Sequence, residues 1–288
     1  MIIEPIWDVC LETLLDCLKM LPILYLAYLL MEFLEQKAGE KLNNAVAKVG
    51  LMGPLLGSIL GIVPQCGFSS AIAGFYTAGI VTLGTLFSVF LATSDEMLPI
   101  LIAKNFDAKI IIKILIFKLV AGIVIGFMID VILKIINKSK NVSGDNIHEF
   151  CEREHCDCHE NMFLSALKHT VKVIILILIV SLVFSLLLNF TAVHEFIVSF
   201  VHNVPVIGEM ASALIGLIPN CGSSVIITEM FVDGIITPGQ MMSGLLANAG
   251  VGLLVLYRLN KNVKHNIFIT ILLFVISVLL GLLCGVVW

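Results

Sequence analysis

Long stretches that are apolar on every helical face, separated by short polar punctuation, make up most of the chain. The run from Val173 to Phe190 (VIILILIVSLVFSLLLNF) carries no charge, and neither does the closing run from residue 267. At 1.5 Å rise per residue, about 20 such residues cross the ~30 Å hydrocarbon core of a bilayer. Five segments are read in the first part of the chain, at 18–33, 49–63, 67–81, 83–103 and 110–132, and five in the second, at 171–190, 206–218, 222–236, 241–256 and 267–287. Strands of a membrane barrel would alternate apolar and polar side chains, and these segments do not. The pattern predicts an all-α, polytopic helical membrane protein.

The two groups of five are copies of one unit. Residues 61–84 read GIVPQCGFSSAIAGFYTAGIVTLG and residues 216–239 read GLIPNCGSSVIITEMFVDGIITPG. A gapless shift of 155 residues pairs Gly61 with Gly216, Pro64 with Pro219, Cys66 with Cys221, Gly67 with Gly222, Ser69 with Ser224, Gly79 with Gly234 and Gly84 with Gly239. Isolated Leu or Ile matches arise by chance, whereas Pro, Cys, Gly and Ser in one register mark a repeat. The organisation is therefore a first transmembrane unit at 1–134, a polar loop at 135–167 and a second unit at 168–288.

Two segments of each unit are too short for a full crossing and meet at Pro-x-Cys-Gly. They form either tilted spans completed beyond the break or a re-entrant hairpin. Either way each unit crosses an odd number of times, so the second starts on the opposite side of the membrane. The expectation is two inverted repeats with discontinuous helices, an arrangement of many secondary transporters whose site lies where the broken helices meet.

Composition agrees with this class. Apolar residues make up 59% of the 288 and charged residues 13%, about half the usual ~25% charge of soluble domains. A soluble enzyme and a disordered scaffold are excluded, and no basic groove for nucleic acid is present. The start, Met1-Ile-Ile-Glu-Pro, lacks the positive region of a cleaved signal peptide, so the first span is expected to direct insertion. Lysines of the 34–48 and 258–264 loops and of the central loop share one side, although Lys104, Lys109 and Lys113 oppose the assignment. The positive-inside tendency then puts the central loop in the cytoplasm of a cell-membrane protein and both termini outside.

Candidate chemistry concentrates in three places. In Pro64-Gln65-Cys66-Gly67-Phe68-Ser69 and Pro219-Asn220-Cys221-Gly222-Ser223-Ser224, amide, thiol and hydroxyl groups stand beside backbone opened by proline, with half-helix N-termini expected near Gly67 and Gly222. Gln65, Cys66, Gly67, Ser69, Asn220, Cys221, Gly222 and Ser224 are therefore expected to form two halves of a substrate site, against the plainer reading of a kinked contact between small residues. Asp95, Glu96, Glu229 and Asp233 are carboxylates in or near apolar segments, costly unless paired, protonated or bound to a cation. The plainer reading puts Asp95 and Glu96 at a watery mouth and Asp233 at the membrane surface.

The third place is the central loop, where His148, Cys151, His155, Cys156, Cys158 and His159 form a soft-metal ligand set of no recognised zinc-finger spacing. It reads as a metal-capturing or sensing loop for Zn2+ or another soft metal, or as a polar linker. No tightly bound cofactor is expected. Cys10, Cys17 and Cys284 stand alone and read as packing residues.

On the paired Pro64-x-Cys66-Gly67-x-Ser69 and Pro219-x-Cys221-Gly222-x-Ser224 motifs and the Cys/His loop, nearly the whole chain resembles a ten-span heavy-metal exporter family, often labelled arsenic-efflux or manganese-transporter-like. More distantly it resembles two-domain permeases for trivalent organoarsenicals. The resemblance implies metal or metalloid efflux, with Cys66 and Cys221 at the membrane core in contact with a soft metal. The carboxylates depart from a thiol-only scheme and keep a Mn2+-like cation in contention. There is no Walker A sequence, so transport would draw on an ion gradient, protons being the expected coupling ion, or on a separate energising subunit. The alternatives are a permease for a small organic or anionic solute and a membrane metal sensor or thiol-transfer protein. Expected partners are the bilayer, the metal or metalloid, protons and, left open, a second copy of the chain.

Overall fold

A computed structural model describes residues 52–63, 66–94, 97–136 and 206–287 continuously, with scattered helical positions between 7 and 29 and between 163 and 183. Regular structure among the described residues is entirely helical. In the first unit α1 is Met52–Ile62, α2 Cys66–Thr77, α3 Leu83–Ala92, α4 Met97–Ala103 and α5 Ala108–Ile135. In the second, α6 is Ile207–Gly216, α7 Cys221–Val232, α8 Pro238–Ala247, α9 Gly252–Leu259 and α10 Val263–Val287. The shift of 155 carries the first residue of each of α1 to α5 onto the first residue of α6 to α10 in turn. The expected segments at 18–33 and 171–190 are helical at every described position.

Four stretches, Leu83–Ala103, Ala108–Ile135, Pro238–Leu259 and Val263–Val286, are long and apolar enough to cross a membrane. They play two roles. The most apolar part of Pro238–Leu259 is 94% buried, against 33% for Ala108–Ile135 and Val263–Val286. Ile112, Ile116, Val120, Val124 and Val131 of α5 are exposed, as are Ile271, Val275, Leu279 and Leu283 of α10. A face of that extent is untenable in water and ordinary against hydrocarbon. The protein is a multi-pass helical membrane protein with an inner layer of broken helices and α5 and α10 outside it.

Both units pack by one rule, in which small residues let helix backbones touch. A Cβ on Gly84 would collide with the carbonyl of Gly126, and one on Gly239 would lie 2.9 Å from the carbonyl of Gly281, the counterpart pair. Gly61 of α1 presses on the Val89 carbonyl of α3, as Gly216 of α6 presses on Gly244 of α8. Between the units, α2 packs on α9, α7 on α4, and α3 on α8. Exchanging the copies turns the first pairing into the second and leaves the third unchanged, the contact pattern of a twofold relation.

The hairpins also end alike. Gly79 (φ 75°) and Gly234 (φ 72°) adopt the left-handed conformation after α2 and α7. Ile80 N–H then donates to Phe75 O at 2.8 Å and Ile235 N–H to Met230 O at 2.9 Å, closing a Schellman turn that satisfies carbonyls left over at the helix end. No atom lies within 4 Å of a Cβ on Gly234, so the backbone alone sets the effect of a substitution. Gly234→Ala is expected to cost about 1–2 kcal/mol, read as a lower thermal midpoint of the purified protein. An unchanged midpoint would show that the turn relaxes.

The apolar segments read at 83–103 and 241–256 each take in parts of two helices: α3 stops at Ala92 before α4 begins at Met97, and α8 stops at Ala247 before α9 begins at Gly252. In the first, the Ser94 hydroxyl donates to Ala92 O at 3.0 Å, taking a carbonyl that continuing helix would use, and Pro99 in the first turn of α4 has no N–H. In the second, Asn248 Oδ1 accepts from Gly250 N–H at 2.8 Å while Gly250 turns left-handed at φ 53°.

Candidate functional site

At the second motif the chain leaves α6, runs extended through Asn220 (φ −148°, ψ 148°) and turns directly into α7 at Cys221. The opened backbone is partly satisfied from within. Asn220 N–H donates to Ile218 O at 2.7 Å, and the Ser223 hydroxyl donates to Asn220 O at 2.8 Å. The Thr228 hydroxyl donates one turn back to Ser224 O at 2.7 Å. Asn220, Ser223, Ser224 and Thr228 are all buried, and Gly222 is half-buried.

At the first motif α1 ends at Ile62 and α2 begins at Cys66, so each motif helix starts one residue before the glycine expected to open it. Gly67, Ser69 and Ser70 are buried. Pro64 and Gln65, and the side chains of Cys66 and Cys221, lie outside the described residues.

Each motif meets a break of the other copy. Gly252, which opens α9, packs so closely on the first motif that a Cβ there would lie 2.7 Å from Ser69 O; α4 packs on α7 in the reciprocal place. The breaks after α3 and α8 are joined by Lys118 of α5. Its ammonium donates to Thr93 O and, at 3.3 Å, to Leu245 O. Thr93 caps the C-terminus of α3, and Leu245 is in the last turn of α8. Helix N-termini, with positive ends, and helix C-termini, with negative ends, are thus gathered inside one protein core. Such an arrangement can hold a cation, an anion or a polar solute without side-chain charge.

The other expected residues are distributed unevenly. Glu229 is exposed in the last turn of α7, and Asp233 is its exposed C-cap. The eight residues from Cys221 to Glu229 span about 12 Å of helix, so neither carboxylate stands at the motif. Asp95 and Glu96 lie outside the described residues, directly after buried Ser94. His148, Cys151, His155, Cys156, Cys158 and His159 are likewise outside them. Among the described residues no three His, Cys, Asp or Glu side chains come together. Cys10 is half-buried and Cys284 buried, both as free thiols.

Two polar residues of α5 were not anticipated. Lys118 is one of two lysines, with Lys113, inside the apolar 110–132 run, and the sequence does not say which of them is buried. Asp130 accepts from Thr82 Oγ1 at 2.7 Å and from Gly84 N–H at 2.8 Å, placing a carboxylate on the N-terminus of α3. The counterpart of Asp130 is Gly285, and there α8 is closed instead by its own Gln240, whose Oε1 accepts from Thr237 N–H at 2.9 Å. The two copies share a fold but not their charges.

A family model described as "Putative, 10TM heavy-metal exporter" matches residues 21–208. The chain belongs to this ten-transmembrane heavy-metal exporter family. The family is one of membrane exporters, so this member is a transporter-family protein and not an enzyme. The match takes in the first motif, α3 to α5 and the central loop, and stops before the second motif. It therefore spans less than the nearly complete resemblance expected from sequence, and the second unit joins the first through the internal register. No curated protein and no solved structure matches the chain.

Proposed function

We propose that this exporter-family member is a secondary transporter that moves a divalent metal ion or a metalloid out of the cell in exchange for protons, by rocking of two inverted repeats about their broken helices. The observation carrying the reading is the meeting of both copies' breaks, at Lys118 and at the Ser69–Gly252 contact. Breaks placed inside a membrane protein and shared by two related units are the usual setting of a substrate site. The odd number of segments per unit supports inversion, and the reciprocal packing of α2 on α9 and α7 on α4 supports a twofold relation between the units.

In this reading Gln65, Cys66, Gly67 and Ser69 form one half of the site, and Asn220, Cys221, Gly222 and Ser224 the other. Asp95 and Glu96, in the break between α3 and α4, supply hard oxygen ligands. Glu229 and Asp233 act at the mouth, consistent with their exposure. The central loop faces the cytoplasm and delivers or senses Zn2+ or another soft metal through His148, Cys151, His155, Cys156, Cys158 and His159.

The test is uptake into inverted membrane vesicles of Mn2+, Zn2+ and a trivalent organoarsenical, with and without a proton gradient. Gradient-dependent uptake of at least one is expected. Replacing His155, Cys156, Cys158 and His159 by Ser or Ala is expected to weaken loop metal binding while leaving flux at saturating substrate intact. Uptake of none of the three would move the reading to a small organic or anionic solute, and collapse of maximal flux in the loop variant would put the loop on the obligatory route.

A further inference from the structure

Two ring contacts tie the units together at their ends. Where α2 stops, the Tyr76 hydroxyl is hydrogen-bonded at 2.7 Å to Nε2 of His265 in the first turn of α10, and the two rings stack with centroids 6.2 Å apart. Where α7 stops, Phe231 packs on Phe106 of the turn between α4 and α5, with centroids 5.5 Å apart. The shift of 155 carries Tyr76 onto Phe231. The same helix end of each copy thus docks on the corner of the other copy that leads into its outer helix. One docking is polar and the other apolar.

The outer helices measure how far apart these contacts are. Phe106 stands just before α5, and Asp130, 22 residues beyond Ala108 and about 33 Å along that helix, binds Thr82 and Gly84 at the start of α3, directly after the turn that ends α2. In α10, His265 touches Tyr76, and Gly285, 20 residues and about 30 Å further on, lies against Gly239 at the start of α8, directly after the turn that ends α7. Both lipid-facing helices therefore run from one contact to the other, in opposite directions. The helix breaks joined at Lys118 and at the Ser69–Gly252 approach lie between them.

We propose that Tyr76–His265 and Phe106–Phe231 are the two gates of this transporter, one at each face of the membrane, and that each is held shut while the other is open. The proposal rests on the alternating-access reading above and names the contacts that carry it out. Both contacts are made here, as in an occluded state. Units that rock about breaks lying between the gates do not separate at both ends together. Loosening one gate therefore shifts the population toward the state open at that face, in which the other gate is closed.

The experiment is hydrogen–deuterium exchange, read by mass spectrometry, of the purified full-length protein in lipid nanodiscs, for wild type, Tyr76→Phe and Phe231→Leu. Tyr76→Phe keeps the ring and removes the hydroxyl, and one net hydrogen bond is equivalent to about a fivefold change in the open population. Exchange at the α2–α3 turn and the start of α10 is expected to rise by about that factor, while exchange at the end of α7 and the α4–α5 turn falls. Phe231→Leu is expected to do the reverse, and Phe106→Leu takes its place if that variant does not fold. A purely structural contact would loosen its own end, or both ends, without protecting the far one. Either result overturns the proposal, as does a pair of variants that changes neither end. No substrate is needed for this readout, so reciprocal exchange without metal flux in vesicles would keep the gates and remove the metal as cargo. Metal flux without reciprocity would keep the transporter and remove the gates.

Discussion

Replacing Gly84 with valine is expected to leave little folded protein. A single Cβ at this position meets the Gly126 carbonyl and the carboxylate of Asp130, with Asp130 Cγ at 2.5 Å. A side-chain end could rotate away, but the Gly126 carbonyl is backbone in the middle of α5, so the whole helix must move. Overpacking of this kind costs about 1–3 kcal/mol at well-packed positions. Separation would add the loss of the Asp130 bonds to Thr82 and Gly84, which cap α3. The total is a large part of the ~5–15 kcal/mol that holds a typical domain together.

Gly74→Ala is the control, because its Cβ would sit 3.9 Å from Leu259 Cδ1 in ordinary contact. It is expected to raise the thermal midpoint through helix propensity, by up to ~1 kcal/mol. Size-exclusion profiles and thermal melts of both variants check the contrast. A Gly84→Val protein with the wild-type midpoint would mean that α3 and α5 do not need their close approach.

The register that identifies Gly84 with Gly239 was fully legible in the sequence, since Pro, Cys, Gly and Ser recur at fixed separation, and the helix starts obey it residue for residue. The breaks between α3 and α4 and between α8 and α9 were not legible in hydropathy. A window average reports what side chains prefer, not whether each N–H finds its carbonyl, and 83–103 still averages as one apolar segment although Thr93-Ser94-Asp95-Glu96 fills the gap in its helix. The local marks were present: Thr93-Ser94 with Pro99 five residues after Ser94, and Asn248 with Gly250. Each is weak alone, because serine and threonine often sit inside membrane helices and glycine often serves helix contacts.

Lys118 was obscured for a related reason. In a sequence, one lysine in an apolar run can mark a span end, a snorkelling side chain or a buried charge. Only packing separates these, and here it brings α5 across the ends of both α3 and α8. Pairwise carboxylates carried the opposite hazard. Glu229 and Asp233 are four residues, about one helical turn, apart, but helix length takes them to the exposed end of α7, away from the motif that begins it.

Asp95 and Glu96 are left as the carboxylates whose neutralisation is expected to cost transport most. The chain passes into them from buried Thr93 and Ser94, and leaves them into α4, which packs on α7. Their counterparts, Gly250 and Val251, carry no charge, so the repeat itself does not require acids there. Carboxylates held in a protein core cost several kcal/mol unless a cation or proton compensates them, and oxygen ligands suit Mn2+-like ions whereas thiolates suit Zn2+, Cu+ or trivalent arsenic. Asp95→Asn with Glu96→Gln is therefore expected to lower Mn2+ flux in inverted vesicles by at least about tenfold, equivalent to ~1.4 kcal/mol. The Cys66→Ser, Cys221→Ser pair should retain most of that flux, and Glu229→Gln, at the exposed far end of α7, should lower it less than the Asp95, Glu96 change does. Arsenical transport that is abolished by the paired cysteine change and indifferent to the carboxylate change would reverse the assignment, making the two motif thiols the ligands and the acids a feature of the mouth.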